Sequence, residues 1–156
     1  MRCTMEQGVL VNGLELQDIA NSLSNRVWGL TVLPTEKCNF RFKYCYESFT
    51  LGRMGRTTIE AIKRLMRHRI QDPELKQFHL NWFGGEPLLA VDVILEISRY
   101  AKELCEEHGC AFGCGIITNA SLLTQNVLLE LLNAGVTKFV TAIDGPEKVH
   151  DKTRVD

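Results

Sequence analysis

Four short apolar runs alternate along the chain with longer segments of mixed apolar and polar residues. The runs cover residues 27–33, 78–83, 111–118 and 138–143 and are rich in β-branched and aromatic residues. Apolar runs of this length and composition are typical of buried strands. We therefore predict four β-strands.

The segment after the first predicted strand and its loop has apolar residues at the spacing of a helix. Thr57 and Glu60 stand three residues apart, as in a capping box, and predict where the first helix begins. A stripe of apolar residues at helical spacing indicates a helix that packs on a core. The predicted buried stripe comprises Ile59, Ile62, Leu65, Met66 and Ile70.

Two further helices are predicted between the later strands. Residues 92–108 are followed by Gly109, and residues 124–134 are followed by Gly135. Glycine directly after a helix commonly ends it. Strands that alternate with helices predict an α/β fold with a parallel sheet, open or barrel-like, and with its chemistry at the C-terminal ends of the strands. The third helix is predicted to bury Val127, Leu128, Leu131 and Leu132.

Composition and charge exclude several kinds of partner and bear on the state of the cysteines. The 156-residue chain is 45% hydrophobic, 24% charged and carries a net charge of −1, which gives no field that would gather nucleic acid or an anionic membrane. No run approaches the ~20 apolar residues of a spanning helix, and no secretory signal opens the sequence. We expect a cytoplasmic protein without nucleic-acid or membrane partners. In that reducing setting its six cysteines are expected to be thiols or metal ligands.

Unusual residues follow each predicted strand. The first strand leads into TEKCNFRFKYCYE, which contains Cys38 and Cys45, and the second leads into GGEP. The third leads into TNAS and the fourth into IDGP, which contains Asp144. Because the C-terminal ends of parallel strands meet at one edge, we expect these four segments to converge at one rim.

The same segments resemble the motifs of the radical S-adenosylmethionine (SAM) superfamily. TEKCNFRFKYCYE is similar to the Cys-x3-Cys-x2-Cys signature in the form common among peptide- and protein-modifying (SPASM-type) members. WFGGEPLL, TNASLL and IDGPEKVHDKTR are similar to the companion motifs, in the same order. The resemblance implies a partial (β/α) TIM-type barrel, of which this sequence holds about the first four strands.

The resemblance also implies cofactors, a reaction and partners. In the family three cysteine thiolates, which are soft ligands suited to iron, hold a [4Fe-4S] cluster that in turn binds SAM. Reduction of the cluster cleaves SAM to methionine and a 5′-deoxyadenosyl radical, so the cofactors supply the difficult chemistry. The implied partners are a peptide or protein substrate and an electron donor such as flavodoxin or ferredoxin.

Individual positions take their implied roles from the motifs. Cys38 and Cys45 match the first and third cluster ligands, and Tyr44 matches the aromatic residue that packs on adenine. Glycine suits a loop whose backbone must approach the SAM ammonium closely. The implied SAM-binding positions beyond Tyr44 are Gly84, Gly85, Glu86, Thr118, Asn119 and Asp144.

Three positions depart from the family pattern. Phe42 stands where the second cluster cysteine is expected, Ala120 where a glycine is expected, and Ala142 where a hydroxyl residue is expected. Phe42 is the serious change, because a phenyl ring has no lone pair for iron. A sequencing error, an inactivating change or an engineered substitution would each produce it.

The other cysteines are not expected to replace the missing ligand. Cys114 stands four residues before the end of its predicted strand, and at ~3.3 Å per residue it lies about 13 Å below the rim. Cys105, Cys110 and Cys114 are predicted to be small buried residues, as free cysteines often are. Cys3 has no predicted place.

Two functions therefore stay open. In the first, the chain is part of a radical SAM enzyme that modifies a peptide or protein. In the second, it is a non-catalytic remnant with at most a binding role. We predict residues 1–26 to be an N-terminal extension and residues 27–156 the N-terminal portion of an incomplete radical SAM core. A last strand without a neighbour predicts a marginally stable fragment.

Overall fold

A computed structural model describes residue 20 and residues 24–155. Most of the predicted N-terminal extension, including Cys3, lies outside the described residues. The strands are β1 (Val27–Val32), β2 (Arg41–Phe42), β3 (Gln77–Trp82), β4 (Ala111–Ile117), β5 (Lys138–Val140) and β6 (Arg154–Val155). The helices are α1 (Arg56–Ile70), α2 (Val91–His108), α3 (Gln125–Asn133) and α4 (Glu147–Thr153), with a 3₁₀ turn at Pro87–Ala90.

Four strands form one parallel sheet in the order β1-β3-β4-β5. Each connection between neighbouring strands of this sheet contains a helix, as parallel pairing requires. The predicted parallel α/β fold, of the kind that builds a partial barrel, is therefore confirmed. β2 and β6 pair separately as a two-stranded antiparallel ribbon that the sequence did not predict.

One face of the sheet forms the core beneath α1, α2 and α3. Leu80, Trp82 and Ile116 are buried on this face. Trp82 Nε1 donates a 3.0 Å hydrogen bond to Ser98 Oγ of α2, so the one polar atom of this indole is satisfied.

Among the described residues, no helix is both long and apolar enough to cross a bilayer.

Three cysteines belong to this core, as predicted. Cys105, Cys110 and Cys114 are all buried. Burial raises the pKa of the Cys105 thiol to about 12 and that of the Cys114 thiol to about 11. Cys114 Sγ lies 3.8 Å from Ser98 Oγ, under α2 and away from the rim.

The predicted capping box of α1 is wrong. The N-cap residue is Gly55, and no side chain caps the helix. Thr57 lies inside the first turn, so its hydroxyl is not in the capping position. Glu60 instead forms an ion pair with Arg56, one turn earlier on the same helix.

The limits of α2 and α3 follow the sequence closely. Gly109 ends α2 with a φ of 63°, in the left-handed region that favours glycine. Thr124 caps α3, because its hydroxyl accepts a 3.3 Å hydrogen bond from Val127 N. Strand β5 is shorter than predicted, because its pairing partner β4 ends at Ile117.

Two leucines predicted to be buried are exposed. Leu65 is 48% and Leu132 is 42% exposed. Each stands next to a fully buried residue, Met66 or Leu131. A step of about 100° around the helix turns each leucine to the edge of the buried stripe.

Candidate functional site

The loop that follows β1, residues 33–49, lies directly on the Gly84-Gly85 turn after β3; we call it the cysteine loop. Gly84 has a φ of 125°, and a Cβ atom there would lie 2.4 Å from Thr35 O. A Cβ atom on Gly85 would lie 2.3 Å from Glu36 O. Both positions therefore require glycine for the two loops to touch. Their contact with the SAM ammonium stays a prediction.

Glu86 joins the ends of β3 and β4. Its side chain is fully buried, and Oε1 accepts hydrogen bonds from Thr118 Oγ1 at 2.6 Å and from Leu88 N at 2.9 Å. Oε2 accepts from Asn119 N at 2.8 Å. Both carboxylate oxygens are thus engaged inside the protein. We interpret Glu86 as a positioning residue beneath the rim.

Asn119 links the end of β4 to the cysteine loop. Its Nδ2 donates to Asn39 Oδ1 at 3.0 Å and lies 3.9 Å from Cys38 Sγ. Cys38 Sγ also accepts a 3.3 Å hydrogen bond from Phe40 N. Asn119 Oδ1 accepts from Ser121 N and Oγ at 3.0 and 2.7 Å, which fixes the orientation of the amide. The rim therefore holds the Cys38 sulfur in a set of N–H donors.

Ala120 occupies a position that favours glycine. Its φ is 63°, which is unfavourable for a residue with a Cβ atom. Its N–H donates a 3.0 Å hydrogen bond to Thr118 Oγ1. The departure from the expected glycine is therefore strained in this chain.

Phe42 is packed within the cysteine loop by three aromatic or cationic contacts. Its ring stacks on Tyr44 at 5.6 Å and lies 6.2 Å from the ring of Phe40. The Arg154 guanidinium lies 4.7 Å from the Phe42 ring centroid. The backbone pairing of Phe42 with Arg154 between β2 and β6 supports this contact. A phenyl ring thus fills the place that the family motif gives to a thiolate.

Asp144 connects Tyr44 with Arg154. Its carboxylate accepts hydrogen bonds from Tyr44 Oη at 2.9 Å, Arg154 Nε at 2.8 Å and Thr153 Oγ1 at 3.1 Å. The Arg154 guanidinium is the main cause that lowers the pKa of Asp144 to about 2, and the bond to Asp144 raises the pKa of Tyr44. His150 Nδ1 accepts a hydrogen bond from Asp144 N at 3.3 Å. Asp144 therefore holds the motif after β5 against the cysteine loop.

The cysteine loop and the motifs after β3, β4 and β5 border an open cleft at the C-terminal ends of the strands, which we call the rim cleft. Its volume is about 170 Å³. Glu86 and Asp144 support the rim cleft without lining it. Of the predicted site residues, it is lined by Cys38, Tyr44, Cys45, Gly84, Gly85, Thr118 and Asn119, together with Phe42, Ala142 and Arg154.

The side chains of the rim cleft do not fit a cluster held by three thiolates. Cys38 and Cys45 line the cleft, and Phe42 takes the position between them. Among the described residues, no group of three His, Cys, Asp or Glu side chains is placed to hold a metal ion.

Sequence reasoning missed one anchor of the cysteine loop. Glu36 Oε2 accepts hydrogen bonds from Leu51 N at 2.9 Å and from Thr50 N at 3.1 Å, and also from the Ser48 hydroxyl at 3.2 Å. The bond from Leu51 N is the main cause that lowers the pKa of Glu36. The acidic residue before Cys38 and the hydroxyl residues after Cys45 were the available signal.

Known proteins share this fold and sequence pattern. The family model for the radical SAM superfamily matches residues 32–156. A GTP 3′,8-cyclase of Sinorhizobium medicae is 32% identical over 129 residues, covering 80% of this chain and 35% of that protein. An AdoMet-dependent heme synthase of Oleidesulfovibrio alaskensis is 29% identical over 122 residues, covering 77% of this chain and 29% of that protein.

A solved structure has the same fold. It is described as native anSMEcpe with bound AdoMet and Cp18Cys peptide, and it superposes with a TM-score of 0.62 at 22% identity over 83% of this chain and 34% of that one. The chain thus spans about a third of the length of each of these proteins. The family match covers most of the chain, and its four motifs meet at one rim. The chain belongs to the radical SAM superfamily.

Proposed function

We propose that this chain supplies the SAM-binding part of a radical SAM core, and that with Phe42 it does not hold a complete [4Fe-4S] cluster. Phe42 carries the proposal. Its ring is packed between Tyr44 and Arg154 at the position where the family motif has its second thiolate. Carbon offers no ligand to iron, so the cysteine loop supplies two thiolates instead of three. With Phe42 in the cysteine loop, the chain is proposed not to cleave SAM reductively.

The proposed cofactor contacts lie around the rim cleft. Cys38 and Cys45 are the cluster-binding thiols, and Glu86 orients Thr118 and Asn119 from below. Backbone and amide groups at this rim suit the amino-acid and ribose parts of SAM, which need hydrogen-bond donors and acceptors. The proposed SAM contacts are Tyr44, Gly84, Gly85, Thr118, Asn119 and Asp144.

Tyr44 must change partners for this proposal to hold. Its ring stacks on Phe42 and its hydroxyl is bonded to Asp144, whereas the proposed role is to pack on adenine. Tyr44 is 58% exposed, so its ring can turn without crossing the core. A cysteine at position 42 would remove the stacking partner that holds the ring.

The proposed substrate is a peptide or protein, with reducing equivalents from a flavodoxin or ferredoxin. Support comes from the SPASM-type form of the TEKCNFRFKYCYE motif and from the likeness to anSMEcpe with a bound peptide. The relative that is a GTP cyclase points to a different substrate. The alternative proposal is that the chain is a non-catalytic remnant that at most binds a partner chain or a protein substrate.

Anaerobic reconstitution with iron and sulfide tests the proposal about Phe42. The parent chain is expected to bind little iron, and Phe42→Cys is expected to bind close to four irons and four sulfides with iron–sulfur charge-transfer absorbance. Phe40→Cys is a matched control, because it adds a thiol to the same loop at the wrong spacing. A full, stable cluster in the parent chain, or equal clusters in both variants, would contradict the proposal.

Binding of SAM distinguishes the proposed radical SAM core from the alternative of a non-catalytic remnant. Equilibrium dialysis with labelled SAM measures binding to the reconstituted Phe42→Cys chain, and Asn119→Ala is expected to weaken it. Asn133→Ala, at the exposed end of α3, is the control. Formation of 5′-deoxyadenosine by the Phe42→Cys chain with a strong reductant would support the proposal that this is part of a radical SAM enzyme. A reconstituted Phe42→Cys chain that binds no SAM would support the alternative of a non-catalytic remnant.

A further inference from the structure

The C-terminal end of α2 brings two buried cysteines together. Cys110 N donates a 2.9 Å hydrogen bond to Cys105 O, and Gly109 N donates one of 3.4 Å to Glu106 O. Gly109 stands directly before Cys110 and has a φ of 63°. Two such bonds around a left-handed glycine form a Schellman motif, in which the side chains at the two ends commonly contact each other. Those ends are Cys105 and Cys110.

The backbone on both sides of this motif is fixed by the fold. Cys105 is fully buried on α2, and Cys110 is 7% exposed. The next residue, Ala111, begins β4 and donates a 2.8 Å hydrogen bond to Lys76 O. Residues joined by a backbone hydrogen bond have Cα atoms roughly 6 Å apart, and a disulfide spans ~4.4–6.8 Å between Cα atoms. A bond between the two cysteines therefore requires no movement of the helix or the strand.

The two thiols also act on each other. Burial is the main cause that raises the pKa of the Cys105 thiol to about 12, and the neighbouring Cys110 thiol adds to the rise. Burial raises the pKa of the Cys110 thiol as well, whereas its interaction with Cys105 lowers it. Opposite effects of this kind are those of a hydrogen bond in which the Cys105 thiol donates to the Cys110 sulfur. The two side chains therefore face each other.

Cys114, the third cysteine of the core, stands apart from this pair. Its Sγ lies 3.8 Å from Ser98 Oγ, and Ser98 precedes Cys105 by two turns of α2, about 10 Å along the helix axis. Cys114 follows Cys110 by four residues of extended chain, which is about 13 Å. The geometry therefore favours a bond between Cys105 and Cys110 over either bond to Cys114.

From this arrangement we infer that Cys105 and Cys110 form a redox-active pair that a small disulfide, such as glutathione disulfide, closes to an intramolecular disulfide. The Cys110 thiolate attacks one sulfur of the oxidant, which breaks the S–S bond and releases one thiol. Cys105 then loses its proton and attacks the Cys110 sulfur, which releases the second thiol. The two protein thiols thus lose two electrons and two protons, and the oxidant is reduced to two thiols.

Exposure decides the order of the two steps, and proximity decides the equilibrium. Cys110 attacks first because it is the less buried thiol, at a helix end where Glu106, Glu107 and His108 are exposed. The raised pKa of both thiols makes closure slow, because the thiolate is the reactive form. Their fixed proximity favours the closed form once equilibrium is reached. The bond joins α2 to the start of β4, at the end opposite the rim cleft, so it stabilises the fold without altering the cleft.

Glutathione buffers that range from reducing to oxidising test the pair in the whole 156-residue chain. After equilibration, the remaining thiols are blocked with N-ethylmaleimide and the chain is digested with a protease that cleaves after glutamate. Cleavage after Glu106 and Glu107 separates Cys105 from Cys110, so a disulfide keeps the two fragments linked until it is reduced. Mass spectrometry is expected to find the linked fragments in oxidising buffer and separate, blocked fragments in reducing buffer.

Variants identify the partners and test the motif. Cys114→Ala removes a buried thiol outside the pair and should still give linked fragments, whereas Cys110→Ala should give none. Gly109→Ala should lower the equilibrium constant for closure about fivefold, because alanine disfavours the left-handed turn; His108→Ala, an exposed change at the same helix end, is the matched control. The Tm of the closed Cys114→Ala chain should exceed that of its reduced form by roughly 5 °C.

Separate fragments at every glutathione ratio, or equal linkage in the Cys110→Ala chain, would overturn the inference. An equal closure constant in Gly109→Ala and His108→Ala would also overturn it. Fragment mapping of the parent chain needs no substitution, so the test holds even where a variant fails to fold. Iron and SAM take no part in these measurements, so the cysteine pair and the proposed function can fail separately.

Discussion

Glu86→Gln is expected to destabilise the protein at the junction between β3 and β4. The Glu86 carboxylate accepts three hydrogen bonds, from Thr118 Oγ1, Leu88 N and Asn119 N. Glutamine keeps the size of the side chain but has one oxygen, and its amide nitrogen can only donate. In either orientation, the new NH₂ group faces at least one protein N–H.

The size of the effect follows from burial. If the glutamine oxygen keeps Thr118 and Leu88, the variant loses the bond from Asn119 N, worth about 1.5–3 kcal/mol for a charged acceptor. It also leaves buried donors facing each other, at a cost of about 1–3 kcal/mol. The opposite orientation loses the bond from Leu88 N and reverses the one with Thr118, because a hydroxyl can also accept from the new NH₂ group. We therefore expect the free energy of unfolding to fall by about 3 kcal/mol, which corresponds to a Tm decrease of about 10 °C.

Urea denaturation at low temperature measures this loss. Glu107→Gln makes the same chemical change at an exposed position of α2, and should alter the free energy of unfolding by less than about 0.5 kcal/mol. Thr118→Val removes one donor to Glu86. Because the two residues share a bond, the double variant Glu86→Gln/Thr118→Val should cost less than the sum of the single variants. Equal stability of Glu86→Gln and Glu107→Gln would refute the positioning role of Glu86.

Three further outcomes are expected. Ala120→Gly should raise the free energy of unfolding by about 1 kcal/mol, because Ala120 has a φ of 63°, whereas Ala61→Gly, at an exposed position in α1, should lower it by a similar amount; a loss in both variants would contradict the strain. The folded-state pKa of Asp144 is lowered to about 2 from an ordinary 3.8, so its stabilisation is complete above pH 3.8 and is lost as the pH falls through about 2; acid-unfolding curves of Asp144→Asn should lack this component, and an unchanged curve would exclude it. In a Cys3→Ser chain under native conditions, iodoacetamide followed by mass spectrometry should modify the two half-buried rim thiols before the three core thiols, and early modification of a core thiol would contradict the core packing. The rim thiols are Cys38 and Cys45, and the core thiols are Cys105, Cys110 and Cys114.

The elements that the sequence predicts well are those set by periodicity over many residues. Helix α2 ends at Gly109 as expected, because a left-handed terminal residue has a strong preference for glycine. The start of α1 was wrong, because a capping box is a short pattern that also occurs by chance inside a helix. Leu65 and Leu132 show that periodicity assigns the centre of a buried stripe more reliably than its edges.

The rim could be predicted as a set of segments but not as a network. Motif order places Cys38, Asn119 and Asp144 at one edge of the sheet, where hydrogen bonds join Asn119 to Cys38 and Asp144 to Tyr44. The partner of Asp144 was not evident, because Arg154 follows it by ten residues and reaches it through the turn of α4. The β2–β6 ribbon was also missed, since pairs of two residues leave no periodic signal.

The Phe42 ring does more than replace a ligand, because it contacts the residues that join the cysteine loop to the motif after β5. Stacking on Tyr44 is worth about 0.5–1.5 kcal/mol, and the Arg154 guanidinium over the ring adds about 0.5–1 kcal/mol. Arg154 is held by Asp144, which also binds Tyr44, so the ring contributes to the contact between the cysteine loop and the motif after β5. Replacing it with cysteine would remove these contacts while adding a ligand. Without iron, Phe42→Cys is therefore a destabilised form of this rim, and only cluster binding can compensate for the contacts that it loses.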